Sequence, residues 1–167
     1  MRPYRDEFAS LVYEAAVESV ESVGPWLPWC HAGYSERDGI EWLARCKSSW
    51  DASEEFEFAL FDHADEYVGG AGLNQFRPIH NFANLGYWVR QSRQGQGLIV
   101  EAIRLLARFG FETLRLTRIE IVACENMPSR RVAEKAGATF ECLARNRLIL
   151  RGAPVTAAVY SLVPIDP

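Results

Sequence analysis

Apolar residues recur along the chain at two spacings, one typical of helices and one typical of strands. Residues 8–23 follow the three-to-four-residue spacing of an amphipathic helix, which Gly24-Pro25 ends. Ser35 and Asp38 form a capping pair that predicts a second helix from Ser35 onward. A third and longer helix is predicted from Leu98. A fourth is predicted between Asn126, its cap, and Gly137, its terminator.

The long helix that starts at Leu98 is predicted to have two different faces. The residues predicted to face solvent are Glu101, Arg104, Arg108, Glu112 and Arg115. The residues predicted to be buried against a sheet are Leu98, Ala102, Leu105, Leu106 and Phe109. This amphipathic pattern predicts a helix that covers a sheet rather than one that stands alone.

Six runs of alternating or β-prone residues predict strands. They cover residues 57–61, 67–76, 85–90, 118–124, 139–145 and 154–162. In the second run, Gly69-Gly70-Ala71-Gly72 predicts a bulge or close backbone packing. The order is two helices, three antiparallel strands, helix, strand, helix and two strands, which predicts a mixed α/β sheet. A chain of 167 residues fits a single domain over residues 1–167.

A loop containing Gly95 and Gly97 joins the 85–90 strand to the long helix. Glycines let the backbone approach a ligand closely, and free amides at a helix start suit phosphate oxygens. The loop therefore predicts a pyrophosphate cradle, with an ordinary tight turn as the alternative. Neither common nucleotide loop is present, because the GKS/T motif is absent and Val100 stands where a third glycine would complete GxGxxG.

The net charge of −4 argues against nucleic acid as the main partner. No apolar run reaches membrane-spanning length and the polar start lacks a signal peptide, so we expect a cytoplasmic protein with no membrane partner. The four cysteines have no CxxC spacing and no nearby histidine pair, which predicts reduced thiols and no metal. They are Cys30, Cys46, Cys124 and Cys142. We expect a monomer or a homodimer.

The segment Gln94-Gly95-Gln96-Gly97-Leu98-Ile99 resembles the acetyl-CoA motif of the GNAT acyltransferase superfamily. Ile99 departs from the small residue usual at the last position. The preceding Gly86-Tyr87-Trp88-Val89 and the following Glu101-Ala102 resemble the Rim-type branch, which includes N-terminal acetyltransferases of ribosomal proteins. The resemblance implies a single-domain GNAT fold with a mixed, mostly antiparallel central sheet splayed in a V and about four flanking helices. It also implies a first strand at residues 1–5 that is shortened.

A second motif, Asn126-x-x-Ser129 followed by Glu134-Lys135-x-Gly137, resembles the other Rim-type signature. From the residues alone, Asn126 caps a helix and Ser129 satisfies an early amide. The resemblance implies that Asn126 binds the pantetheine arm and that Ser129 is catalytic, donating a hydrogen bond to the departing sulfur. The full set of implied acetyl-CoA contacts is Trp88, Val89, Arg90, Gln94, Gly95, Gln96, Gly97, Leu98, Ile99, Asn126 and Ser129.

Two residues that many relatives use for proton transfer are missing. Ala133 stands where many GNAT members have a tyrosine that acts as an acid, and Leu148 stands where some Rim-type enzymes have a glutamate. The remaining candidates for a general base are Glu120, Glu125 and His80. Because an α-amine has a pKa of about 7.7–8.0 and a lysine one of about 10.4, a site without a strong base favours an α-amine.

The loop containing Trp26, Trp29 and His31 precedes the second helix. By residue type, the tryptophans fit either a core plug or a cleft wall, whereas the resemblance implies that the loop and residues 146–154 border the acceptor. We expect an acetyl-CoA-dependent N-acetyltransferase, more readily of a protein N-terminus than of a small amine or antibiotic. A coenzyme-A-binding sensor without turnover is the alternative from another class.

Overall fold

The computed structural model describes residues 1–164 and contains seven strands and five α-helices within them. The strands are β1 (Arg2–Pro3), β2 (Phe56–Phe61), β3 (Tyr67–Arg77), β4 (Phe82–Val89), β5 (Arg118–Ala123), β6 (Thr139–Leu150) and β7 (Ala153–Leu162). The helices are α1 (Ala9–Glu18), α2 (Val20–Val23), α3 (Glu36–Asp51), α4 (Leu98–Arg108) and α5 (Met127–Ala136).

The strands are hydrogen-bonded in the order β1-β2-β3-β4-β5-β7-β6. Strand β4 pairs parallel with β5, whereas β1 with β2, β5 with β7, and β6 with β7 pair antiparallel. The mixed, mostly antiparallel α/β sheet predicted from the sequence is therefore confirmed. None of the described helices is long and apolar enough to cross a membrane.

The chain divides into two compact units, and each is described by itself. Unit 1 contains Met1–Gly72 and Tyr87–Leu98, and unit 2 contains Leu73–Gly86 and the chain from Ile99 onward. Each unit therefore takes one part of β3 and one part of β4.

Unit 1 has a hydrophobic core between its first two long helices and its strands. The core residues include Tyr4, Phe8, Val12, Ala15, Leu43, Cys46, Ala59 and Tyr67. The glycines of β3 leave no room for a side chain. A Cβ atom at Gly69 would collide with the Trp88 carbonyl oxygen, and one at Gly72 would collide with the Glu57 carboxylate. Close backbone packing, one of the two alternatives predicted for these glycines, is therefore present at Gly69, which also has a φ of +150°.

The helix predicted over residues 8–23 is interrupted at Ser19. Its side chain is fully buried and its hydroxyl donates to the carbonyl of Ala15 at 2.6 Å. The same hydroxyl accepts a hydrogen bond from the Gln91 amide at 3.0 Å. The interruption separates α1 from α2, because the backbone of Ser19 leaves the helical region, with a φ of −103° and a ψ of 5°, and its amide donates to the carbonyl of Ala16.

Unit 2 is organised around α4 and the paired strands β5 and β7. The helix buries Ile99, Ala102, Ile103 and Leu106, and a single π-helical turn, Phe109–Thr113, follows it. The predicted solvent face is confirmed, but the predicted buried face was wrong at Leu105, which is 40 % exposed. The apolar residues of this helix are too numerous for spacing alone to give its rotation, and Ile99 and Ile103 occupy the buried side.

The hairpin of β6 and β7 is longer than the sequence predicts. Strand β6 continues to Leu150 because the register shifts between Ala144 and Leu148 and pairing then resumes with β7. Asn146 lies at that shift with a left-handed φ of 53°, and Gly152 turns the chain with a φ of 77°. An irregularity of this kind hides the second half of a strand from alternation patterns.

Candidate active site

The carboxyl end of β4 lies very close to β3 in unit 1. The Arg90 amide donates to the carbonyl of Val68 at 2.9 Å, so this amide is already engaged within the sheet. The side chain of Trp88 is half-buried, and its indole nitrogen lies over Gly70, where a Cβ atom would be 2.9 Å from it. Trp88 and Arg90, two of the residues implied to contact acetyl-CoA, are thus held against the backbone of β3.

The loop after β4 carries the predicted acetyl-CoA motif. It contains one 3-10 turn, Gln91–Arg93, and then Gly95 and Gly97 with left-handed φ angles of 77° and 78°. Among the described residues, none beyond the chain neighbours lies within 4 Å of a Cβ placed on either glycine. Residues 94–97 are all exposed, so the space above the loop is open to solvent.

The amides of Gly95, Gln96 and Gly97 are available to a ligand. Among the described residues, none accepts a hydrogen bond from these three amides. They stand immediately before Leu98, where the eleven-residue α4 begins. Successive free amides in such turns form an anion-binding concavity, and the helix dipole favours negative charge at the same point. The residues present therefore fit a pyrophosphate, for which the structure offers a cradle at Gly95–Gly97.

Side chains hold the loop from both ends. The side-chain Nε2 of Gln94 donates to the Ser22 hydroxyl at 3.1 Å, and the side-chain Nε2 of Gln96 donates to the Ser92 carbonyl at 3.4 Å. The Arg90 guanidinium forms an ion pair with Glu18 and also donates to the Tyr67 carbonyl at 3.3 Å. Sequence patterns did not single out Glu18, because its partners lie more than 70 positions away.

An aromatic wall adjoins the end of β4 in unit 1. The Trp29 ring packs edge-on against Trp88 and against Tyr34, with ring centroids 5.1 Å and 5.8 Å apart. Trp29 is 38 % exposed, so the ring does not plug the core, and its place in a cleft wall stays a prediction. Trp26 is half-buried in the turn after α2, and the exposed His31 accepts a hydrogen bond from the Gly33 amide at 3.2 Å.

The second motif lies in unit 2, at the start of α5. The Asn126 side-chain oxygen accepts a hydrogen bond from the Ser129 amide at 3.2 Å, and Gly137 ends the helix with a φ of 99°. The predicted capping is confirmed. Both Asn126 and Ser129 are half-buried. Ile99, the last residue of the first motif, is buried in the first turn of α4. The cap uses the main chain of Ser129, so its hydroxyl has no part in that bond.

A buried tyrosine fixes the helix that carries Ser129. The Tyr160 hydroxyl of β7 donates to the Glu134 carboxylate at 2.8 Å and accepts from the Arg130 guanidinium at 3.2 Å. Tyr160 is fully buried and packs edge-on against Phe140. The Glu134 of the second motif is therefore an anchor of α5 on the sheet, a role that the sequence did not predict.

The three candidate bases are in unit 2. Glu120 accepts hydrogen bonds from Arg118 at 3.0 Å and 3.2 Å and pairs with Arg147 at 3.5 Å, so its carboxylate is engaged. Glu125 is exposed, and the exposed His80 stacks on Phe82. Two arginines thus engage the carboxylate of Glu120, and the other two candidates face solvent.

All four cysteines are free thiols. Burial raises the pKa of the Cys30 and Cys46 thiols, which keeps both protonated. Among residues 1–164, no group of three or more His, Cys, Asp or Glu side chains is arranged to hold a metal ion.

The fold and both motifs agree with the family to which the chain is related. Residues 1–139 match the family described as the acetyltransferase (GNAT) domain. The chain therefore belongs to the GNAT acetyltransferase family, and the similar proteins support the Rim-type branch.

Among proteins of known sequence, the chain is 35 % identical over 105 residues to the probable N-acetyltransferase YjcK of Bacillus subtilis (strain 168), covering 61 % of this chain and 58 % of that one. The chain spans about half the length of the curated relatives that it matches.

Two solved structures are similar over most of their length. One is a Vibrio cholerae protein provisionally described as a ribosomal-protein-serine acetyltransferase, with 32 % identity, a TM-score of 0.85, and coverage of 98 % of this chain and 92 % of that one. The other is Mycobacterium smegmatis RimJ in complex with CoA-disulfide, with 25 % identity, a TM-score of 0.83, and coverage of 97 % and 80 %.

Proposed function

We propose that this protein is an acetyl-CoA-dependent N-acetyltransferase that acts on the α-amine of a protein N-terminus, with residues 1–167 forming one catalytic domain. The observation that carries the proposal is the cradle of three available amides at Gly95–Gly97, at the start of α4. A pyrophosphate is the part of coenzyme A that such a cradle recognises.

The family and one of its structures support coenzyme A as the ligand. The chain belongs to the GNAT acetyltransferases, and M. smegmatis RimJ was solved with CoA-disulfide. Acetyl-CoA would supply the acetyl group as a thioester. The residues that would hold it are those of the loop, Gln94 to Ile99, together with Trp88, Val89 and Asn126. Arg90 would contribute through its side chain, because its amide is bonded to Val68.

Ser129 is the residue to which we assign chemistry. As the neutral amine attacks, the carbon–nitrogen bond would form, the carbon–sulfur bond would break, and negative charge would move to the sulfur. The amine nitrogen would lose its proton to water, and the departing thiolate would take one up from water. An alcohol is a weaker acid than a thiol, whose pKa is about 8.5, so Ser129 would donate a hydrogen bond to the sulfur rather than a proton. The position of Ser129 in the second motif, at the start of α5, supports this assignment.

The acceptor is proposed from the chemistry of the amine and from the relatives. None of the candidate bases has a favourable environment, so an amine that is already partly neutral near pH 7 is the better nucleophile. One relative, from Escherichia coli (strain K12), is named a ribosomal-protein-serine acetyltransferase. The chain is 34 % identical to it over 89 residues, which cover 52 % of this chain and 49 % of that one. An N-terminal α-amine fits both observations.

Release of free thiol from acetyl-CoA tests the proposal. We would measure it in steady state with N-terminal peptides, polyamines, amino acids and aminoglycosides, each with and without enzyme. Sustained release with free N-terminal peptides, together with a mass increase on the α-amine, is the expected result. Turnover with small amines alone would favour a small-molecule acetyltransferase. Tight binding of acetyl-CoA without turnover on any amine would favour a sensor.

A further inference from the structure

We infer that Glu18, at the end of α1, is a positioning residue that sets the shape of the coenzyme A cradle. The inference rests on the proposed function, because it assigns a purpose to the loop between β4 and α4. Glu18 does not itself belong to the cradle. It acts on the residues that lead into it.

Both oxygens of the Glu18 carboxylate are used on that segment. One oxygen accepts hydrogen bonds from the Arg90 guanidinium, at 2.8 Å from Nε and with a second, shorter contact from Nη2. The other oxygen accepts from the Ser92 amide at 2.7 Å. A single carboxylate therefore fixes a side chain where the strand ends and the main chain two residues further on.

Ser19, between α1 and α2, and Ser22, in α2, also bond to this segment. The Ser19 hydroxyl accepts from the Gln91 amide at 3.0 Å, and the Ser22 hydroxyl accepts from the Gln94 side chain at 3.1 Å. With Glu18, they bind four of the five positions from 90 to 94. The next three residues are the cradle, and a Cβ placed on either of its glycines would meet no described residue beyond the chain neighbours within 4 Å. The direction of the free amides is therefore set by the residues before them.

The surroundings of Glu18 make it a fixed charge. Burial tends to raise its pKa, but hydrogen bonds from Arg90 and Ser92 outweigh that effect and lower the pKa to about 2. The side chains of Glu18 and Arg90 are 28 % and 20 % exposed, so solvent screens the pair only in part. Charge-assisted hydrogen bonds in such a setting are stronger than neutral ones. Glu18 stays ionised at every physiological pH and is not a proton carrier.

The test compares two acetyl donors on the Glu18→Gln variant. Acetyl-CoA contains the pyrophosphate, and S-acetylpantetheine lacks it while offering the same thioester. We expect the variant to raise the KM for acetyl-CoA roughly tenfold, since hydrogen bonds to charged groups have that order of effect. The kcat/KM for S-acetylpantetheine should stay within about twofold of that of the natural protein. Equal loss with both donors, or no change with acetyl-CoA, would overturn the inference.

Two further measurements separate positioning from general stability. Glu41→Gln removes an exposed ion pair with Arg37, 2.7 Å long, in the same unit and should change neither donor's kinetics. Hydrogen exchange should be faster at the amides of Gln91 and Ser92 in Glu18→Gln, with the amides of β2 unchanged. If those two amides exchange as in the natural protein, Glu18 does not order the loop and the inference fails.

The same experiment recognises failure of the proposed function. If the natural protein uses acetyl-CoA no better than S-acetylpantetheine, the pyrophosphate cradle is wrong, whatever Glu18 does. If the natural protein prefers acetyl-CoA strongly and the variant keeps that preference, the cradle stands and the positioning role is wrong.

Discussion

The indole of Trp29 packs edge-on against that of Trp88, with ring centroids 5.1 Å apart and planes inclined by 73°. Trp88 belongs to β4 and is one of the residues that we propose to hold acetyl-CoA, and Trp29 belongs to the loop before α3. Trp88 also contacts Tyr67 of the core, with centroids 6.1 Å apart. The outer tryptophan is therefore held by an inner one that is itself anchored, which gives the loop a defined position.

Trp29→Ala should raise the KM for the acceptor peptide several-fold and leave the affinity for acetyl-CoA nearly unchanged. An aromatic wall contributes contact rather than chemistry, and an aromatic pair is worth about 0.5–1.5 kcal/mol beyond its buried area. Steady-state kinetics at saturating acetyl-CoA measures the first effect and calorimetry the second. Trp29→Phe keeps a ring and should recover most of the acceptor KM. An unchanged acceptor KM in Trp29→Ala would remove the loop from the acceptor site.

Gly95→Val or Gly97→Val should weaken acetyl-CoA binding and leave the fold intact. A left-handed φ costs a residue with a side chain about 1–2 kcal/mol, and the new side chain would occupy the space above the free amides. Calorimetry with acetyl-CoA measures the binding.

The matched control for this pair of variants is Gly152→Val. Gly152 has a φ of 77° and an equally empty Cβ position, in the turn between β6 and β7. The valine would suffer the same backbone strain in a different turn, so this variant should lose stability without losing acetyl-CoA affinity. If all three variants bind acetyl-CoA as tightly as the natural protein does, the Gly95–Gly97 loop is not the pyrophosphate cradle.

The sequence predicts the order and type of the elements well because most of them are amphipathic and locally capped. Asn126 and Gly137 delimit α5 as expected, and the capping box of Ser35 and Asp38 starts α3. Errors arise where a distant residue decides. The predicted helix is interrupted at Ser19, whose side chain bonds to Gln91, and β6 extends past an irregularity because β7 continues to pair with it.

The candidate site divides in the same way. The two glycines and the asparagine are visible in the sequence, since a turn with positive φ and a helix cap have local signatures. The carboxylate of Glu18 has none, because nothing near it in the chain indicates that a loop 72 residues later would need an anchor. Glu134 stands in a motif, yet its bond to Tyr160 depends on the pairing of β7 within unit 2.

Ser129→Ala should lower kcat much more than it changes the affinity for acetyl-CoA. The hydrogen bond to the sulfur would strengthen only as the thiolate forms, so its loss falls on the transition state. The helix cap survives the change, because the bond to Asn126 comes from the main chain of residue 129. Single-turnover kinetics isolates the chemical step, and Asn126→Ala serves as the comparison that removes the cap. Wild-type single-turnover rates in Ser129→Ala would leave the serine with a local structural role only.

The stabilising contribution of Glu141 should disappear in acid. Hydrogen bonds from Arg118, and then from Ser161, lower its pKa from an ordinary 4.5 to about 2. Because the folded-state pKa is depressed, the contribution is complete above about pH 4.5 and is lost as the pH falls towards 2. Urea unfolding of Glu141→Gln and of the natural protein should therefore differ by a constant amount at pH 6–8 and by less below about pH 4.5.

Glu112→Gln is the control for the pH series, since its exposed pair with Arg108 spans 3.7 Å. It should change the free energy of unfolding by less than about 0.5 kcal/mol at every pH. A difference between Glu141→Gln and the natural protein that stays constant down to pH 3 would contradict the assignment of Glu141 as an ionised partner of Arg118.

Peptides with a free α-amine should react faster than the same peptides blocked at the N-terminus but containing lysine. Near pH 7 an α-amine, with a pKa of about 7.7–8.0, is partly neutral, whereas a lysine near 10.4 is almost wholly charged. None of the candidate bases offers a strong means of removing the lysine proton, since Glu120 is paired with two arginines.

Raising the pH from 7 to 9 should therefore increase kcat/KM for free N-termini until the amine is neutral and then level off. The rate with lysine peptides should rise throughout that range, tenfold per unit at most. Faster reaction of blocked lysine peptides or of polyamines at pH 7 would contradict the N-terminal preference and favour a small-amine acetyltransferase.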